Sequence, residues 1–426
     1  MTGRQIKNNW QKDFFTVWAG QAFSLLGSSL VNFSLIWWLT EKTGSAMVLA
    51  IATAFALIPR IIAGPFLGAL VDRMNRKRVM ILADAAIALS TIVIVLLFKL
   101  EVVEIWHLYI LLALRSIGET FHFPAMQAST TLMVPDEHLP RISGINQMLD
   151  GGLKIVGPPL GALLLGLMPF YGVLSIDIVT ALLAIIPLFF VEIPQPKPVL
   201  EKQKLQQEKS GLWQEVKESF QYLLGFKGLA LIMGVSMMSN FLYTPAFNFL
   251  PLYVTEYFNG DVWQLSIFET VIGAGMLIGG LILGVWGGFK RKMYTILFGI
   301  LFSGAFMFLL GMVPSDRFGT AVMMMAGHAI VNSITNGAAF ALLQSVVAPE
   351  MQGRIFSTVS SVAMMMSPLG LLIIAPVIER FGLPFWFLCI GVMSVLMGFA
   401  SFATPEVIGL EKEMNDSKGV LGTRLC

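Results

Sequence analysis

The chain has 426 residues, 56% of them hydrophobic and only 13% charged, with a mean hydropathy of +0.76 and a net charge of +2. A soluble protein keeps about a quarter of its residues charged, so this chain cannot cover a water-exposed surface. So small a net charge gives no footing for nucleic acid. Cys389 and Cys426 offer neither a disulfide framework nor a cysteine metal site, and no cofactor or metal is expected.

A membrane-crossing helix needs about 20 mostly apolar residues. Twelve stretches qualify: 14–39, 46–71, 79–98, 106–131, 141–168, 172–191, 229–256, 263–287, 292–312, 318–347, 353–378 and 382–404. They do not alternate as barrel strands would, so they read as helices. The first is too long for a secretory signal and reads as a retained span. Twenty-one of the 28 Lys and Arg fall in segments on the side of the N-terminus, and four in segments on the other. By the positive-inside rule both termini are expected in the cytoplasm, with the chain in the cell (inner) membrane.

The longest hydrophilic stretch, 192–228, separates two six-span halves, 1–191 and 229–426. Within it Leu212, Val216, Phe220, Leu223 and Leu224 make one apolar face, which predicts a short helix lying on the membrane surface. The halves repeat each other weakly. Arg115-Ser-Ile-Gly-Glu119 has a counterpart in Asn332-Ser-Ile-Thr-Asn336, Gln127 in Gln344, and Pro159-Leu-Gly161 in Pro368-Leu-Gly370. Duplicated halves around a midplane site are a common plan of secondary transporters.

Between the second and third spans runs Gly68-Ala-Leu-Val-Asp72-Arg73-Met-Asn-Arg76-Lys77-Arg78. Four cations hold this hairpin inside the cell, but topology alone needs neither the glycine nor the aspartate. Gly68 admits a close helix. Asp72 can accept from Arg73 or Arg78, or cap a neighbouring helix. The second half keeps Gly284, Lys290, Arg291 and Lys292 but has Gly288 where the aspartate would fall.

The first copy resembles the loop 2–3 signature of the major facilitator superfamily. The resemblance implies a conformational lock made by Gly68, Asp72, Arg73, Arg76, Lys77 and Arg78, which stabilises an outward-facing state. It also implies an all-α membrane fold of two pseudo-symmetric six-helix bundles. Trp18-Ala-Gly-Gln21, Leu39-Thr-Glu-Lys-Thr-Gly-Ser45, and Arg115-Ser-Ile-Gly118 with Phe121-His122 and Pro124-Ala125 are similar to bacterial macrolide-efflux proteins of the twelve-span drug:proton antiporter type.

Ionisable groups inside spans are costly and are functional candidates. Arg115 and Glu119 lie one turn apart in span four, a spacing that allows an ion pair; protonating Glu119 would release Arg115. Asp150 and Lys154 make a second such pair in span five. Arg60, beside Pro59, can pair with Glu119 or Asp150 or contact substrate. These five are the proton-coupling candidates, and the resemblance links Arg115 to proton transfer. Asp84 is assigned to the charge cluster after span two. Asp177 and Glu269, nearer outer span ends, are gate pairs, cation contacts or solvated helix ends. His122 and His328 are more often core histidines than proton carriers.

Gly152, Gly157, Pro158, Pro159 and Gly161 resemble the antiporter motif of span five, although Leu153 stands where that motif has a glycine. The prolines should bend the helix, and the glycines should admit a neighbour. Gln21, Ser28 and Asn32 in span one, Met237, Asn240, Phe241, Phe247 and Asn248 in span seven, and Glu269 are candidates for the substrate cavity. The glycines at 273–280 lack the Lys-Ser/Thr of a phosphate loop, so no nucleotide is expected. The expected function is not enzymatic: a monomeric exporter, bathed in lipid, that exchanges protons for a small amphipathic substrate such as a macrolide antibiotic. Export of a native metabolite or siderophore is the alternative within transport. A non-transporting sensor or scaffold would require long soluble domains.

Overall fold

The computed structural model describes the backbone of residues 10–194, 227–346 and 349–410; side chains at 64–73, 136, 140, 143, 345–358, 360 and 361 lie outside the described set. The predicted surface helix around 212–224 also falls outside it. Among the described residues every regular element is helical. In a hydrocarbon environment a helix satisfies its own backbone polar groups, and these sequences are apolar on nearly every face.

The first six helices are α1 (Trp10–Thr43), α2 (Ala46–Arg73), α3 (Arg76–Lys99), α4 (Ile105–Met133), α5 (Leu139–Leu167) and α6 (Phe170–Phe190). Then follow α7 (Lys227–Asn248), α8 (Val262–Trp286), α9 (Lys292–Gly311), α10 (Phe318–Val346) and α11 (Pro349–Phe402). Ten helical segments are long and apolar enough to cross a membrane. The last of these, Val362–Phe402, contains a break, and the 29-residue α4 is also of spanning length. Among the described residues this gives the expected twelve crossings.

Two expected boundaries need correction. The seventh span is not one regular helix to 256: α7 ends at Asn248, and after a break at Phe249 the helical path continues through Leu250–Leu252 into a wider, π-type turn at Tyr253–Tyr257. Pro251, just before that turn, cannot donate a backbone hydrogen bond. Spans eleven and twelve are not separated by a loop. They form one helical run, broken at Gly382, whose φ of 78° and ψ of 163° only glycine adopts readily. α5 continues through Pro158 and Pro159 to Leu167.

The chain divides into two compact units, Met1–Pro198 with Gly260–Thr270, and Val199–Asn259 with Val271–Cys426. In the first, α1 packs on α5 and α6, while α4 packs on α2 and α3. One end of this unit is closed by Phe14, Val17, Met80, Ala125, Ile142 and Leu188. Leu82, Leu89 and Leu96, seven residues apart on α3, are exposed and make an apolar stripe. In the second unit α9 packs on α10 and α11, and α7 on α11. Its core includes Leu229, Met233, Leu297, Leu342 and Leu410. The two cores draw on corresponding helices.

Candidate functional site

The first unit holds a buried ion pair that sequence spacing missed. Arg115 does not reach for Glu119. Its Nη1 lies 2.8 Å from Oδ2 of Asp177 on α6, and the two side chains are 2% and 1% exposed. Thr91 on α3 donates to the same oxygen at 2.7 Å and accepts from Arg115. Ser28 on α1 donates to Asp177 Oδ1 at 3.1 Å and accepts from Arg115 Nη2 at 3.3 Å. Asp177 is therefore no solvated helix end. A charge in an apolar interior is tolerated when it is paired and hydrogen-bonded, and four helices supply the partners here.

Beside this pair lies a cavity of about 640 Å³. Arg60, Glu119, Asp150, Lys154 and Glu269 line it, as do Gln21, Ser28 and Asn32 from α1. Position inside a span is the sequence signal that marks Arg60, Glu119, Asp150 and Lys154, while Glu269 stood out only as a charge nearer an outer span end. Glu269 reaches the cavity because Gly260–Thr270 packs with the first unit, where Thr270 donates to the Ile155 carbonyl at 3.3 Å. Leu25, Phe33, Ile36, Phe123 and Met126 supply apolar wall. Cavities of this size with a few convergent polar groups are typical small-molecule sites.

Asp84 also lines this cavity and does not belong to the charge cluster after α2. It is 3% exposed, accepts from Gln21 Nε2 at 3.1 Å, and has Oδ1 3.3 Å from His122 Nε2. His122 is thus no ordinary core histidine. Neither contact was legible in the sequence: Gln21 and Asp84 are 63 residues apart, and no local spacing joins α3 to α4.

The antiporter-like residues of α5 split in role. A Cβ on Gly157 would meet Ser29 Oγ at 2.7 Å, and one on Gly161 would meet the Phe33 ring at 2.7 Å, so both glycines seat α5 against α1. Gly152 has nothing within 4 Å and seats no neighbour. Pro158 lines the cavity.

Of the charge cluster, Gly68, Asp72 and Arg73 lie where side chains are outside the described set. Lys77 donates to the carbonyls of Phe189 and Val191 at 3.2 and 3.0 Å, satisfying the C-terminal end of α6. Asn75 caps α3 through the Arg78 backbone N–H. In the second half, Gly287 and Gly288 both take positive φ, 76° and 79°. An aspartate at Gly288 would be strained, which explains locally why the second copy lacks one.

The second unit repeats the four-helix tie without charge. Tyr243 on α7 shares its hydroxyl with Ser394 at 3.0 Å and Ser303 at 3.3 Å, and Ser303 meets His328 Nδ1 at 2.9 Å. Tyr243 stacks on the His328 ring, which is 1% exposed; this histidine is a core residue. A separate cavity of about 310 Å³ is lined by Asn240, Phe247, Asn332 and Asn336. Met237, Phe241 and Asn248 are not among its lining residues. Phe241 instead packs its backbone on Gly370, and Asn248 bonds to the Thr244 carbonyl.

A family model for the Major Facilitator Superfamily matches residues 17–373. The chain belongs to the major facilitator superfamily. This superfamily member is 35% identical over 405 residues to macrolide efflux protein A of Streptococcus pyogenes, covering 95% of this chain and 98% of that protein. It is 34% identical over 329 residues to macrolide efflux protein A of Enterococcus faecalis, covering 77% of this chain and 100% of that one. The multidrug efflux pump Tap of Mycolicibacterium fortuitum is 24% identical over 401 residues, or 90% and 94% of the two chains. Among solved structures, a nucleoside transporter superposes with a TM-score of 0.68 at 14% identity, covering 93% of this chain and 99% of its own. A D-xylose-proton symporter gives 0.67 at 17%, covering 90% and 96%. These last two likenesses concern the fold alone. The molecule is an all-α, multi-pass membrane transporter of this superfamily.

Proposed function

We propose that this transporter is a secondary exporter of amphipathic compounds of the macrolide class, driven by protons moving inward in exchange. The observation that carries this reading is the first-unit cavity, where an apolar wall meets acids and bases placed inside spans. Such groups cost about 2.5–3.5 kcal/mol each at mid-membrane, a cost that a substrate or proton path would justify. Its relatives' names, macrolide efflux protein and multidrug efflux pump, support the same class. The two halves, 1–191 and 229–426, would alternate access by rocking, joined by 192–228. Both termini would face the cytoplasm, as the Lys/Arg bias asks. Gly68, Asp72, Arg73, Arg76, Lys77 and Arg78 would lock one state of that cycle.

The test is erythromycin accumulation in pump-deficient cells expressing the chain. Lower accumulation that a protonophore restores is the expected result. Unchanged accumulation would remove macrolides and favour a native metabolite or siderophore. Lower accumulation that a protonophore leaves untouched would remove the proton.

A further inference from the structure

We propose that the Asp84–His122 pair is the proton-binding site of this transporter, and that its proton and an amine cation on the substrate exclude one another from the first-unit cavity. The inference rests on the export reading above and names the residues that perform it.

Three observations carry it. Asp84 and His122 are buried yet line the cavity, so a proton placed there is shielded from bulk water but in reach of a bound substrate. Gln21, fully buried, holds Asp84 Oδ2 and leaves Oδ1 facing the imidazole at 3.3 Å. His122 Nε2 and Gln21 Oε1 are both buried without a hydrogen-bond partner among the described residues. Unpaired buried polar atoms are expensive, and here two of them border one cavity.

Charge then dictates the exchange. A carboxylate beside a neutral imidazole carries −1, and beside an imidazolium it carries zero. The other groups on the wall leave the balance acidic. Glu119 on α4, Asp150 on α5 and Glu269 on α8 add three carboxylates, against Arg60 on α2 and Lys154 on α5. On α6, Asp177 is already neutralised by Arg115. The wall therefore attracts a cation while His122 is neutral and attracts it less once the imidazole is protonated. A proton arriving from outside forms an N–H bond on His122 and weakens the hold on the amine. It leaves toward the cytoplasm when the next amine enters, and no electrons are exchanged. Histidine is the side chain whose ordinary charge change falls between about pH 5 and 8. Gln21 is a positioning residue in this scheme.

The experiment compares two rates in vesicles holding the purified full chain, each taken in excess of protein-free vesicles because a weak base also crosses lipid unaided. One is the initial entry of labelled erythromycin driven by an acidic lumen. The other is counterflow, the exchange of labelled for unlabelled erythromycin with no gradient. In His122→Gln the driven rate should fall at least about tenfold and counterflow by less than about threefold, since only the first needs a titrating group. Erythromycin binding in detergent should weaken as pH falls in the wild type and lose that dependence in both His122→Gln and Asp84→Asn. If His122→Gln does not fold, His122→Asn and the wild-type binding profile decide the same question. Driven entry that survives in His122→Gln but disappears in Glu119→Gln overturns the inference and leaves proton-driven export standing. Equal loss of driven entry and counterflow makes His122 a substrate or packing residue and also overturns it. A wild type that ignores the gradient overturns the export reading and this inference together.

Discussion

Asp177→Asn leaves a guanidinium in the interior with no countercharge. Breaking a buried pair by removing one partner costs about 3–5 kcal/mol, whereas replacing both partners by apolar residues is often neutral. Asp177→Asn should therefore lower the thermal midpoint of the purified protein by several degrees. Arg115→Met with Asp177→Leu should lie closer to wild type than either single change. A double variant as unstable as the sum of the singles would contradict this. Glu119→Gln, on the cavity wall, should shift stability by less than about 1 kcal/mol. The sequence identified Arg115 as a charge that needs an explanation but supplied the wrong partner. A neighbour one turn along the same helix is visible in the letters; a partner 62 residues away on α6 is not. Asp84 was misassigned for the same reason, because its partners stand on α1 and α4.

At the scale of elements, α5 sits on α1 through Gly157 and Gly161, and no larger side chain fits either place without movement. Gly161→Leu drives carbon into the Phe33 ring, an overpacking that costs about 1–3 kcal/mol. It should lower expression and thermal stability, while Gly152→Ala, with open space around it, should not. A stable Gly161→Leu would argue against close α1–α5 packing. Lys77→Met removes two hydrogen bonds from the end of α6; each such charged bond contributes about 1.5–3 kcal/mol. The loss should appear as faster amide exchange at 188–191. Asp72→Asn should slow transport yet leave the fold intact, and an unchanged rate would sink the lock.

Most spans were legible because a run of apolar residues long enough to cross lipid has few other uses. The boundaries that failed did so where a helix changes course without a polar loop to announce it. Thr255 and Glu256 alone do not mark the point where a helix widens at Tyr253–Tyr257, and Gly382 is one glycine among many until its φ is known.

The whole molecule carries one tie twice. In each unit a buried polar group set binds four corresponding helices: Ser28, Thr91, Arg115 and Asp177 in the first, Tyr243, Ser303, His328 and Ser394 in the second. The first is charged and adjoins an acid-rich cavity; the second is neutral. The weak repeat in the sequence announced the duplication, but only packing reveals that the charge stayed with one copy. That asymmetry is the reason the proposed proton and substrate chemistry is assigned to the first half. Titrating the purified full chain in weakly buffered detergent with erythromycin adjusted to the same pH tests this account most directly, with a pH dye reporting protons. Near pH 6.5, the ordinary histidine value, binding should release up to about one proton per erythromycin bound in the wild type and none in His122→Gln. Erythromycin that binds the wild type without releasing protons would contradict the account.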